Sequence, residues 1–149
     1  MTEVTRSFGV AGCIAGALIA LGCIGCGRDS GPSLVDISGT LSRHGEPLAG
    51  YGLQFIPESG RPSDAVTDAN GKYRLQYTAE RTGAVLGRHR VIITSYQTAD
   101  DELQAAIDEG RYRDVPPEIG DILKRYGELD STPLQFELSR SQVLDIELE

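Results

Sequence analysis

The side chains in this sequence that could do chemistry are three cysteines, two histidines and a few acidic runs. Cys13, Cys23 and Cys26 all lie in the first 26 residues. The rest of the chain therefore has no thiol for a disulfide framework, a thiolate metal site or a Cys–His nucleophile. His44 sits beside Glu46 in a turn-rich stretch, and His89 lies between Arg88 and Arg90. Nothing in their spacing brings the two imidazoles together, and both read as solvent-facing. No HExxH, HxxE or GxSxG string occurs. Asp68-Ala69-Asn70-Gly71 echoes half of a calcium loop, but the twelfth position counted from Asp68 is Ala79, not a carboxylate. Asp100-Asp101-Glu102 reads as a solvated helix start. These residues predict no catalytic group, no metal site and no cofactor.

The cysteines point elsewhere. Ser7 to Gly27 carries no charge, and Arg6 and Arg28 flank it. Its apolar part, Phe8–Leu21, has the length of a signal-peptide h-region and is short of the roughly 20 residues a membrane span needs. It runs into Ala20-Leu21-Gly22-Cys23, small and aliphatic residues followed by Gly and Cys. That order resembles a bacterial lipobox, in which a lipid-transferring enzyme needs a thiol at the membrane surface and a peptidase needs a small residue before it. The reading makes residues 1–22 a lipoprotein signal peptide and Cys23 the lipidated first residue, with Cys26 as the alternative. Residues 23–33 then form the lipidated N-terminus and a flexible tether ending in Arg28-Asp29-Ser30-Gly31-Pro32-Ser33. Two acyl chains suffice for stable membrane anchoring.

The chain has 149 residues, room for one domain of ordinary size. Its formal net charge is −8, and removing residues 1–22 takes away one acid, Glu3, and one base, Arg6, so the exported part stays acidic. An acidic surface repels phosphates, which excludes a nucleic-acid partner.

From residue 34 onward the apolar period is two. Val35, Ile37 and Leu41 alternate with polar residues, as do Tyr51, Leu53 and Phe55, then Tyr73, Leu75 and Tyr77. Val91 and Ile93 follow, then Leu134, Phe136 and Leu138, and finally Leu144, Ile146 and Leu148. Each run offers one apolar face to a core. Turn residues separate the runs: Gly45 and Pro47 after the first, and Asp68, Asn70 and Gly71 before the third. Asn70-Gly71 predicts a type I′ hairpin tip. Gly83 and Gly87 loosen the chain before Val91. The pattern predicts an all-β sandwich with one helical insertion over about 98–127. There, Thr98 is the predicted cap and Gly110 the stop of a first helix. Pro116-Pro117 opens a second, Glu118 to Tyr126, stopped by Gly127. The insertion either covers an open sheet edge or carries a binding surface. On the second reading Tyr96, Tyr112 and Tyr126 are the candidate stacking aromatics, because the chain has no Trp.

Several strings resemble a known family. Ile37-Ser38-Gly39-Thr40-Leu41, Gly45-Glu46-Pro47-Leu48-Ala49-Gly50 and Gln54-Phe55-Ile56-Pro57 resemble the opening of a carboxypeptidase regulatory-like domain. Thr67-Asp68-Ala69-Asn70-Gly71-Lys72-Tyr73 resembles its next hairpin, and Gly87-Arg88-His89-Arg90-Val91 a later strand, with His89 where an aromatic is usual. The C-terminal run from Lys124 to Leu148 resembles the tail of small lipoproteins of planctomycete bacteria. The resemblance covers residues 34–149. It implies a transthyretin-like (prealbumin-like) Greek-key β-sandwich of about seven strands. It also implies structural turn roles for Gly45, Pro47, Asp68, Asn70 and Gly71, and no catalytic role. The expectation is a non-enzymatic, exported lipoprotein held at the cell envelope by its anchor, on the periplasmic or cell-surface side. Its domain would bind or scaffold a protein or glycan partner, or serve as an accessory module of an envelope peptidase or polysaccharide-processing system.

Overall fold

The computed structural model describes residues 31–97 and 100–149. The predicted signal-peptide segment, all three cysteines and the predicted cap Thr98 lie outside the described residues. Gly31–Glu149 forms one compact unit.

Along the chain run β1 (Leu34–Val35), β2 (Ile37–Arg43), β3 (Glu46–Pro47), β4 (Tyr51–Pro57), β5 (Ser63–Val66), β6 (Lys72–Arg74) and β7 (Gln76–Thr78). Then come β8 (Arg81–Thr82), β9 (Ala84–Val85) and the long β10 (Gly87–Tyr96). Two helices follow, α1 (Asp101–Asp108) and α2 (Pro117–Tyr126), and the chain closes with β11 (Gln135–Leu138), β12 (Gln142–Val143) and β13 (Ile146–Leu148). The larger sheet has the order β11-β10-β4-β5-β7-β8 and is antiparallel throughout. The smaller sheet centres on β2, which pairs antiparallel with β6 and β3, and parallel with β12 and β13. β1 and β9 form a separate two-stranded ladder. The strands are shorter and more numerous than the about seven expected. Gly83 and Gly87, at φ 103° and 116°, break the chain between β8, β9 and β10, where an L-residue would be strained.

The predicted alternation is visible in burial. β2 buries Ile37, Gly39 and Leu41, β5 buries Ser63 and Ala65, and β13 buries Ile146 and Leu148, with their neighbours turned outward. Leu53, Phe55, Val91 and Ile93 of the larger sheet share one core with Ile37, Leu41, Tyr73 and Leu148 of the smaller. The architecture is all-β, with two main sheets, a two-stranded ladder and two short helices around a single apolar interior.

The helices fall where sequence periodicity puts them. Asp100 caps α1, its Oδ1 accepting from the amides of Glu102 and Leu103 at 3.0 Å each, the carboxylate also suiting the positive helix end. Pro117 occupies the first turn of α2, where a missing N–H costs nothing. Ala106, Ile107, Ile122, Leu123 and Tyr126 join the core. Among the described residues β11 pairs with residues 87–90 of β10 alone, and α2 packs against β10. The insertion is therefore part of the packed body. No helix among the described residues is long and apolar enough to cross a membrane.

Candidate functional site

Two turns bring the chain back to β2, and the type I′ tip predicted at Asn70-Gly71 occurs at the other one. At His44 (φ 52°) and Gly45 (φ 80°) both central residues of a two-residue loop have positive φ, between the paired Arg43 and Glu46. This is the type I′ arrangement. Asn70-Gly71, predicted to hold it, does not: Gly71 has φ 71° but Asn70 has no positive φ. Instead the Gly71 amide donates to Asp68 O at 2.9 Å and the Asp68 amide to Lys72 O at 2.8 Å, a three-residue loop with a glycine bulge. The Asp68 side chain decides this. Its Oδ1 accepts from the amides of Asn70 (2.8 Å) and Lys72 (2.9 Å), which lowers its pKa below the ordinary 3.8. Asn70 thus acts through its backbone. Pro47 lies in β3, and its ring carbon comes within 2.9 Å of where a Cβ on Gly71 would stand.

Opposite the first turn, Glu147 accepts from Ser42 Oγ and from the Gly45 amide (2.9 Å). Those bonds hold its carboxyl below the usual carboxylate range. The group ties β13 to the turn. Ser42 donates and Glu147 accepts within it, and the neighbouring His44 also favours the charged carboxylate.

The tyrosines around the insertion are placed differently from expectation. Tyr126 is 2% exposed and its ring is part of the core. Its hydroxyl accepts from the Glu149 amide at 3.1 Å. Tyr96 packs on Tyr51, ring centroids 4.8 Å apart, and burial together with Tyr96 pushes the Tyr51 hydroxyl up to about 12. Tyr112 is half-buried, with Lys124 Nζ 5.8 Å from its ring centre. Tyr126 is corrected as a stacking platform, because its spacing from Ile122 and Leu123 puts it on the inner face of α2. The clefts beside the insertion are lined by charge. One of about 490 Å³ is bounded by Arg111, Tyr112, Arg113, Asp114 and Lys124. Arg111 is held there by Glu109 (2.6 Å) and Asp114 (2.7 Å).

His89 is the residue that sequence reading misplaced. It is 2% exposed, with its Nδ1 3.0 Å from Gly87 O and its Nε2 buried without a partner. Parity carried the signal: position 89 shares a face with Val91 and Ile93, and the flanking arginines point the other way. His44 is exposed on its turn, so one imidazole faces water and the other is closed in the core. Among the described residues no three His, Cys, Asp or Glu side chains lie together to hold a metal ion.

Comparison of the chain with family models, with curated proteins and with solved structures gave no match.

Proposed function

We propose that this chain is a non-enzymatic lipoprotein of the cell envelope. It is anchored through lipid on Cys23, and its all-β domain binds or scaffolds a protein partner. The domain is read as a carboxypeptidase regulatory-like, transthyretin-like Greek-key sandwich. The observation that carries the proposal is positional. An uncharged stretch, Ser7 to Gly27, brings a small-residue string and Cys23 to a point eight residues before a compact unit that starts at Gly31. A tether of that length reaches at most about 28 Å, so the domain would work close to the bilayer. The mixed charges of the cleft at Arg111, Arg113, Asp114 and Lys124 favour a protein surface over a sugar ring.

Metabolic labelling with palmitate tests the anchor. The unaltered chain and Cys26→Ala should take up label, and Cys23→Ala should take up none and leave the membrane fraction. Label retained by Cys23→Ala moves the anchor to Cys26, and label in no variant overturns the lipoprotein reading.

A further inference from the structure

A buried polar atom without a partner needs a reason, because leaving one unsatisfied costs stability. Two such atoms lie on inward-facing strand positions of the larger sheet, Ser63 Oγ on β5 and His89 Nε2 on β10. His89 is the one that can change charge. Its strand neighbours are Pro57 on β4 and Phe136 on β11. Its ring centre lies 6.4 Å from that of Phe55, and Phe55 in turn lies 6.5 Å from Phe136 and 6.1 Å from Tyr73 of the opposite sheet. With Nδ1–H donated to Gly87 O, the neutral ring presents only a bare acceptor to an aromatic pocket.

We infer that His89 is an acid-sensitive latch on the β10–β11 edge: neutral, it packs β11 into the core, and protonated, it leaves the core and releases that edge strand. The inference is independent of the anchor. Protonation adds a second N–H and a charge, and neither has somewhere to go. The charged groups nearby in sequence lie on the other face. Arg88 pairs across to Glu137 and Arg90 to Gln135 in register, and Glu58, after β4, lies 3.9 Å from exposed Arg88. Tyr73 is uncharged, its hydroxyl donated to Leu144 O and its pKa raised by burial. Among the described residues, burial and the Gly87 carbonyl are the influences that act on the imidazole. Burial wins over that hydrogen bond, and the pKa falls below 6.5.

The sign follows. The unfolded chain binds a proton near pH 6.5 and the folded chain only at lower pH, so this site's full stability is present above 6.5 and is lost as pH falls from there to the folded value. The edge is the weak point, because β11 is four residues long and has a strand on one side only.

The experiment uses the full chain and His89→Phe, unfolded by urea at several pH values between 7.5 and 5. The unfolded-to-folded ratio of the unaltered chain should rise, relative to the variant, by up to about tenfold per pH unit below 6.5. Hydrogen exchange should speed up first at residues 87–90 and 135–138. Equal pH slopes, or acceleration spread evenly over all strands, overturn the latch. Should the variant not fold, the His89 ring is titrated by NMR in the unaltered chain. A midpoint below 6.5 that coincides with faster exchange at 135–138 supports the latch, and a midpoint at or above 6.5 overturns it.

Discussion

The turns at His44–Gly45 and at Asp68–Gly71 use the same residue for different reasons. Both place a glycine at positive φ, 80° at Gly45 and 71° at Gly71. A Cβ on Gly45 would meet nothing within 4 Å. A Cβ on Gly71 would stand 2.7 Å from Leu41 O, 2.9 Å from the Pro47 ring and 3.0 Å from Leu48 N. The α-carbon of the first glycine is open on its far side, and its tertiary tie is the amide bond to Glu147. The second also lets the Asp68 turn dock on β2, where Gly71 O accepts from the Leu41 amide at 2.8 Å. The demand for glycine is conformational alone at one site and also steric at the other.

Substitutions can break or sharpen that contrast. Gly71→Ala carries the strain of the left-handed conformation plus a backbone clash, and is expected to cost about 2–4 kcal/mol in urea unfolding. Gly45→Ala carries the strain alone, about 1 kcal/mol. Equal costs would remove the packing role assigned to Gly71. The smallest effect is that of Asp68→Asn, which keeps an acceptor but loses the charge. Because the folded pKa of Asp68 is lowered, its contribution is present above 3.8 and fades as pH falls through the lower folded value. The unaltered chain should therefore exceed Asp68→Asn in stability at pH 6, and the gap should close on acidification. A gap independent of pH would assign the turn to Asn70-Gly71 geometry rather than to the carboxylate.

The same contrast explains how much of the molecule the sequence discloses. Period-two alternation located β2, β4, β10, β11 and β13, because each has one buried face and an amphipathic strand records that in its own residues. The insertion was legible for a similar reason: acids at Asp100–Glu102, proline at the start of α2 and apolar spacing at 119, 122 and 123 are local features. What escaped is of two kinds: local signals that a competing local feature masks, and pairings between residues distant in sequence. Asn70-Gly71 carries a strong type I′ signal, and the Asp68 carboxylate, bonded two and four residues ahead, overrides it. The arginines flanking His89 suggest exposure, whereas its face, shared with Val91 and Ile93, is the buried one. Residue type alone marks Tyr126 as a surface aromatic, whereas its place one helical turn from Ile122 puts it in the core. The parallel pairing of β12 and β13 with β2 joins residues about a hundred positions apart, and no local pattern encodes it.

The lipid anchor on an all-β domain is the claim on which the functional account rests, and the intact mass of the protein recovered from membranes tests it most directly. The account predicts a chain that begins at Cys23 and carries the added mass of acyl chains. A mass equal to the unmodified chain with residues 1–22 still attached would contradict it.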